Sequence, residues 1–250
     1  MLARVLSALF WTTAVIIGLF FFPIALLTRA LTAPFDPQLR VLHQLTCFWA
    51  STYSWMNPAW RLRIEGREKV RPRVAYVMVS NHQSVLDILI LFRLFVHFKW
   101  VSKIEIFRSP LVGWNMRLNR YIKLRRGNEE SIAEMMEDCE RTLKAGSSLM
   151  MFPEGTRSID GKLKSFKHGA FTLAQRVGAP ILPIVVQGTV NALPKRSLLL
   201  RGAQKFRIRI LDEIPYATFA DKPVETLIKE VREIMSEALE ESPAPRTKSA

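Results

Sequence analysis

The feature that most constrains this chain is an uncharged, apolar stretch near its amino terminus. No charged residue occurs between Arg4 and Arg29. As a helix, this stretch would be about 36 Å long, which is enough to cross a hydrocarbon layer of about 30 Å. A second, partly apolar stretch at 39–56 follows a proline-containing turn, so the two helices could instead enter one leaflet and return. The sequence therefore predicts a membrane-associated two-helix element over residues 1–58.

A secretory signal peptide is the alternative interpretation of the first apolar stretch. The stretch is longer than the usual apolar region of a signal peptide, and no clear small-x-small cleavage site follows it. We therefore expect the stretch to be retained as a helix.

The net charge and the two cysteines limit which partners and which kinds of site the chain can have. The chain has 36 Lys and Arg residues against 22 Asp and Glu residues, a formal net charge of +14. Such a balance favours anionic partners: phospholipid headgroups, phosphorylated metabolites, acidic carrier proteins or nucleic acid. Its two cysteines, Cys47 and Cys139, lack the paired spacing of a metal or redox motif, so neither a metal site nor a disulfide is predicted.

From about residue 59 onward, short β-rich runs alternate with amphipathic segments of helical length. This alternation is typical of an α/β domain with a mainly parallel or mixed sheet flanked by helices. We predict one such domain over 59–241 and a disordered, proline-containing tail over 242–250. The predicted strands cover residues 61–65, 74–80, 98–103, 121–124, 148–152, 181–187 and 205–211.

The second predicted strand leads directly into a loop that contains His82 and Asp87. The carboxyl edge of an open α/β sheet is where such folds build their sites. If His82 lies in the loop and Asp87 lies in the first turn of the next helix, the carboxylate can turn back to the imidazole. It would then fix the tautomer and stabilise the imidazolium, so the other ring nitrogen could remove a proton from an alcohol. The segment Ser84–Asp87 also fits a helix capping box, in which Asp87 would only accept a backbone N–H.

A second polar loop follows the fifth predicted strand and has the sequence Pro153–Ser158. If the two strands are parallel, both loops lie at the same edge of the sheet. Gly155 allows close approach to a ligand, Thr156 offers a hydroxyl, and the planar guanidinium of Arg157 suits a phosphate or carboxylate. The alternative is an ordinary surface turn with a solvated arginine.

A basic segment precedes the second loop. Residues 101–126 carry seven cationic residues, Lys103 and Arg126 among them, against one acid, Glu105. Trp100, which lies beside the segment, and Trp114, which lies within it, suit a membrane interface, where both aromatic rings and cations find partners. A solvated basic surface without a ligand is the alternative.

These residues resemble a known family. The spacing from His82 to Asp87 is the H-x4-D motif of glycerolipid acyltransferases of the 1-acyl-sn-glycerol-3-phosphate type. Phe152–Ser158, which reads FPEGTRS, is similar to the second hallmark of that family. The resemblance covers roughly residues 74–190. It includes a segment ending in Arg126 that looks like the family's intermediate motif, with Arg125 at a position where members often carry aspartate.

The resemblance implies roles for these residues. His82 would be the general base and Asp87 its partner, while Glu154 would be a carboxylate that positions substrate. Two arginines, Arg126 and Arg157, would contact the phosphate of the acceptor. We also expect Lys103, Gly155 and Thr156 to line the substrate site, and we expect no metal and no cofactor.

The resemblance also implies a reaction. A fatty acyl chain would move from acyl-CoA or acyl-carrier protein to the free hydroxyl of 1-acyl-sn-glycerol-3-phosphate, without an acyl-enzyme. Membrane lipids would be partners and nucleic acid would not, and the catalytic domain would lie on the cytoplasmic face of a membrane. Open alternatives are another acceptor, such as glycerol 3-phosphate, another lysophospholipid or an amino-acid lysolipid, and a noncatalytic protein that binds anionic lipid.

Overall fold

A computed structural model describes residues 1–158, 160–193 and 197–241, and the predicted disordered tail lies outside this range. Within these residues the chain forms eight α-helices and seven β-strands. The helices are α1 (Leu2–Thr32), α2 (Arg40–Trp55), α3 (Leu86–Phe92), α4 (Val112–Leu118), α5 (Glu129–Lys144), α6 (Gly169–Val177), α7 (Thr189–Ala192) and α8 (Val224–Glu241). The strands are β1 (Trp60–Glu65), β2 (Val77–Ser80), β3 (Phe98–Lys103), β4 (Ile122–Leu124), β5 (Ser148–Met151), β6 (Ile181–Gln187) and β7 (Gln204–Ile210).

The strands form one mixed sheet in the order β1-β7-β6-β2-β5-β3-β4. The five strands from β6 to β4 are parallel, whereas β7 runs antiparallel to β6. Every residue of β2, β5 and β6 is buried, because helices cover both faces of the sheet and each face has its own apolar core. The predicted α/β class with flanking helices is confirmed, and the sheet is mixed.

Three strands are shorter than predicted: β4 begins one residue later, at Ile122, and β2 and β5 differ for local reasons. Strand β2 begins at Val77 rather than at residue 74, and the N–H of Tyr76 donates to the hydroxyl of Ser148. Strand β5 ends at Met151, because Phe152 turns its ring onto His82. The second difference brings the two polar loops together.

Helix α1 lies against the domain by one face only. On its inner face, Phe10 packs against Trp60 with 6.0 Å between ring centroids, and Phe21 stacks on Trp49 of α2 at 5.9 Å. On its outer face, several large apolar side chains are more than half exposed: Leu9, Ile16, Leu19, Phe20, Leu27 and Leu31. Among the described residues, α1 is the one helix that is long and apolar enough to cross a membrane by length and composition.

Candidate active site

Three neighbouring parallel strands place their following loops at one edge of the sheet. Strand β2 lies between β5 and β6 and is parallel to both. His82 follows β2, Glu154 follows β5, and Thr189 follows β6. The side chain of Asn81 joins two of these strands, since its amide donates to the carbonyl oxygen of Val186 at 2.8 Å and accepts from the N–H of Val186 at 2.7 Å. These two hydrogen bonds therefore tie the strands together at the point where the polar loops begin.

The structure pairs His82 with Asp87. The His82 Nδ1 atom lies 2.8 Å from Asp87 Oδ2, and the carboxylate is fully buried in the first turn of α3. The same oxygen accepts the backbone N–H groups of Gln83 at 2.6 Å and Ser84 at 2.8 Å. Asp87 therefore both caps the backbone and holds the imidazole, so the two interpretations of this segment are compatible.

The other ring nitrogen of His82 faces the site. Its Nε2 atom makes no hydrogen bond within the described part of the chain, and 15% of the His82 side chain is exposed. The ring stacks on Phe152 with centroids 4.0 Å apart and planes 10° apart. An imidazole held in this way on one face and at Nδ1 has its Nε2 available to a substrate.

Thr189 completes the hydrogen bonding of Asp87. Its hydroxyl donates to Asp87 Oδ1, the carboxylate oxygen that does not contact His82, and the residue is fully buried. Sequence reasoning did not single out Thr189, although it follows the strand at 181–187 as directly as His82 follows its own. The rule that polar residues at the carboxyl ends of parallel strands meet could have found it.

We expect Thr189→Val to lower kcat about tenfold while leaving KM within about twofold. Valine has nearly the volume of threonine but cannot donate to Asp87 Oδ1, so the carboxylate is less firmly oriented. Steady-state kinetics in detergent would measure the effect, and Thr189→Ser should restore most of the lost rate because serine keeps the donor. A valine variant with the wild-type kcat would show that Asp87 is held without this hydrogen bond.

Glu154 joins the second loop to the first. Its Oε1 accepts the backbone N–H of His82 at 2.8 Å, and its Oε2 accepts the backbone N–H of Lys164 at 3.1 Å. Only 4% of the residue is exposed. Burial raises the pKa of this carboxyl above its ordinary value, and the two N–H donors act in the opposite direction. The family resemblance implies a substrate-positioning role, whereas here both oxygens bind the backbone of the protein.

A backbone hydrogen bond gives the two loops a further contact. The N–H of Ser158 donates to the carbonyl oxygen of His82 at 2.7 Å. Arg157 therefore immediately precedes a residue that touches the histidine backbone. Its side chain is partly exposed and forms no ion pair within the described residues. A guanidinium at this place is free to bind an anion beside His82.

Gly155 and Thr156 lie on the rim of the site. Gly155 has a φ of +66°, and a Cβ atom there would come within 3.0 Å of Lys167 Cε. Glycine therefore serves a left-handed turn against which a lysine side chain packs. Thr156 is exposed.

The other two predicted cations lie farther along the same edge. Lys103 ends β3, and Arg126 lies two residues beyond β4. At a spacing of about 4.8 Å between strands, β3 lies about 10 Å and β4 about 14 Å from β2. Both side chains are exposed. Of the three cations, Arg157 is closest to the His82 backbone.

The remaining candidate nucleophiles and bases lie in the interior. His43 is fully buried and contacts the Tyr121 hydroxyl at 2.9 Å and the Val96 carbonyl at 3.0 Å, and burial lowers its pKa. Cys47 and Cys139 are buried, and burial raises the pKa of each thiol to about 12. A thiol of this kind is a poor nucleophile. Over the described ranges, no group of three or more His, Cys, Asp or Glu residues could hold a metal ion.

The carboxyl edge of the sheet thus holds a histidine–carboxylate pair beside an arginine-containing loop. The acyltransferase family matches residues 61–187, which is half of the chain and includes both loops. The chain belongs to this acyltransferase family.

Individual relatives agree with this assignment. The chain is 37% identical over 197 residues to the chloroplastic 1-acyl-sn-glycerol-3-phosphate acyltransferase LPAT1 of Arabidopsis thaliana, covering 78% of this chain and 55% of that protein. It is 35% identical over 185 residues to the 1-acyl-sn-glycerol-3-phosphate acyltransferase of Saccharomyces cerevisiae, covering 72% of this chain and 60% of that protein. The chain thus spans little more than half the length of these relatives.

A solved structure has the same fold. The 1-acyl-sn-glycerophosphate acyltransferase PlsC of Thermotoga maritima superposes with a TM-score of 0.69 at 24% sequence identity. The match covers 96% of this chain and 100% of that one. At this identity the likeness supports the architecture, including the amino-terminal helices, and not a particular substrate.

Proposed function

We propose that this protein transfers a fatty acyl group from a thioester to the free hydroxyl of 1-acyl-sn-glycerol-3-phosphate, which gives phosphatidic acid. The observation that carries the proposal is the His82–Asp87 pair, with Nε2 open to the site and the Arg157 loop hydrogen-bonded to the His82 carbonyl. Two relatives that are more than one third identical are named for this reaction.

The proposed mechanism is direct transfer. His82 Nε2 removes the proton of the acceptor hydroxyl while its oxygen attacks the thioester carbonyl carbon. The tetrahedral intermediate then collapses, the C–S bond breaks, and the imidazolium returns the proton to the leaving thiolate. Asp87 stabilises the imidazolium between these two steps. Both thiols are buried away from the site, which agrees with a route that forms no acyl-enzyme.

In this proposal the acceptor phosphate binds beside Arg157. A guanidinium can hold a phosphate by two parallel hydrogen bonds, and this would fix the distance from the phosphate to the reacting hydroxyl. Arg126, which the family resemblance also assigns to the acceptor phosphate, and Lys103 would extend the positive edge of the substrate site, and the donor is acyl-CoA or acyl-carrier protein. Gly155 and Thr156 would line the rim of the same site.

The exposed face of α1 supports a membrane location. An apolar surface of this length is stable in contact with lipid, where the acyl chains of the acceptor also lie. We propose that residues 1–58 form the membrane-associated element and residues 59–241 the catalytic domain. The catalytic domain would lie on the cytoplasmic face, where acyl-CoA and acyl-carrier protein are found.

Mass spectrometry of lipid products tests the proposed function. The detergent-solubilised protein would be incubated with mixed lysolipids, glycerol 3-phosphate and both thioester donors. We expect phosphatidic acid as the main product, and less of it in the presence of an excess of a deoxy analogue of lysophosphatidic acid, which lacks the acceptor hydroxyl and competes for the site. A different acylated acceptor would overturn the substrate assignment, and salt-sensitive lipid binding without turnover would overturn catalysis itself.

A further inference from the structure

A second polar cavity lies at the opposite edge of the sheet from His82. It has a volume of about 230 Å³ and is bordered by Arg67 and residues 70–74, by Val96 and His97, and by Gly146 and Ser148. All but Ser148, the first residue of β5, precede β2, β3 or β5, whereas the residues of the candidate active site follow β2, β5 and β6. The length of the strands therefore separates the cavity from the candidate active site. Nothing in the proposed reaction uses this cavity.

The cavity is strongly cationic. Four arginines line it, Arg40, Arg67, Arg71 and Arg73, and no acidic residue is among the described residues that border it. The guanidinium of Arg71 forms an ion pair with Glu213, which does not line the cavity, at 2.6 Å. The guanidinium of Arg40 donates to the carbonyl oxygen of Gly146 at 3.1 Å.

The other two arginines are available. Within the described part of the chain, the guanidinium groups of Arg67 and Arg73 have neither an ion pair nor a hydrogen bond. Two unneutralised cations that face one cavity repel each other, and a bound anion removes that repulsion.

His97 adds an unused polar atom to the wall. Its Nε2 contacts the Ser147 hydroxyl at 3.0 Å, while its Nδ1 is buried and has no hydrogen-bond partner among the described residues. A buried polar atom without a partner is unfavourable by the cost of its lost hydration. The ring of His97 lines the cavity, and Nδ1 lies on its buried side, so His97 serves as a reporter of the cavity rather than as a donor to its contents.

The backbone of the cavity is also unusual. Arg73 has a φ of +67°, a left-handed conformation that is rare for a residue with a side chain. Arg73 follows Pro72 in the turn Arg71–Val74, in which the N–H of Val74 donates to the carbonyl oxygen of Arg71 at 3.5 Å. The conformation holds Arg73 on the cavity wall in the segment where Arg67 and Arg71 also lie.

We propose that this cavity is a second anion site that binds a phosphate monoester. The unpaired guanidinium groups of Arg67 and Arg73 match the several oxygens and the double negative charge of that group. The volume exceeds that of one water molecule, about 30 Å³, severalfold, so a phosphate with a small ester substituent fits. A soluble metabolite and a lipid headgroup share this chemistry.

Nuclear magnetic resonance of histidine-labelled protein can test the site directly. The chain has 4 histidines, so His97 at this cavity and His82 at the active site give separate signals. The full-length protein in detergent would be titrated with glycerol 3-phosphate, and separately with phosphatidic acid mixed into the micelles. We expect the His97 ring signals to shift to saturation with at least one of these probes, while sodium chloride at equal ionic strength leaves them unchanged.

Two double variants make the test specific. The double variant Arg67→Ala with Arg73→Ala should bind the probe more weakly, so the dissociation constant read from the His97 signals should rise about tenfold or more. Arg61→Ala with Lys205→Ala removes the same charge from the paired outer strands β1 and β7 and should leave that constant within about twofold. A response to glycerol 3-phosphate would identify a soluble ligand, and a response to phosphatidic acid alone would identify a lipid headgroup. An unmoved His97, or equal affinities in the two double variants, would overturn the proposal.

Discussion

Replacing His82 with alanine is expected to lower kcat about a thousandfold, because the acceptor hydroxyl loses its general base. A loss of this size corresponds to about 4 kcal/mol of transition-state stabilisation. KM for lysophosphatidic acid should change little, since the proposed phosphate contact is made by Arg157 and not by the imidazole. Initial rates with acyl-CoA in detergent would measure both constants. Activity within about tenfold of the wild type would exclude His82 as the base.

Two further variants separate a chemical role from a structural one. His168→Ala removes an exposed imidazole at the start of α6 and should retain wild-type activity. Adding Asp87→Asn to His82→Ala should reduce the rate little further, because residues that act as one unit show non-additive effects. A double variant whose loss equals the product of the two single losses would indicate that Asp87 acts independently of His82.

Much of the fold followed from the sequence. Strands such as 181–187 read as continuous apolar runs because they are buried on both faces, and polar residues directly after them mark the edge where a site forms. The same reasoning placed His82 in the loop after the second strand and Asp87 in the first turn of the helix that follows. These inferences hold because they depend on residues close in sequence.

Other parts of the site depend on contacts between distant residues. The FPEGTRS motif indicated that Glu154 matters, but a motif does not say whether a carboxylate binds a substrate or a backbone N–H group. Thr189 lies 102 residues from its partner Asp87, so no local pattern connects them. The cavity around Arg67 and His97 is also formed by loops that are distant in sequence. Its positive charge is therefore apparent only in the folded structure.

Changing Glu154 to glutamine is expected to lower kcat about a hundredfold with little change in KM. Glutamine has nearly the same shape but only one carbonyl oxygen, so its NH₂ group must face the N–H of either His82 or Lys164. One buried N–H donor is then left unpaired, at a cost of about 1–3 kcal/mol in stability. The His82 backbone shifts as a result, and an error of about 1 Å in the position of a catalytic group can cost about a hundredfold in rate.

The two roles considered for Glu154 predict different kinetics. A carboxylate that held the substrate would mainly raise KM when neutralised, whereas one that holds the His82 loop lowers kcat and also the melting temperature. Kinetics and thermal unfolding of Glu154→Gln would be compared with Glu105→Gln, which neutralises an exposed acid after β3 and should match the wild type in both. A raised KM with unchanged kcat and stability would assign Glu154 to the substrate. A lowered kcat and melting temperature would make its two backbone hydrogen bonds the reason that the histidine and arginine loops stay in register.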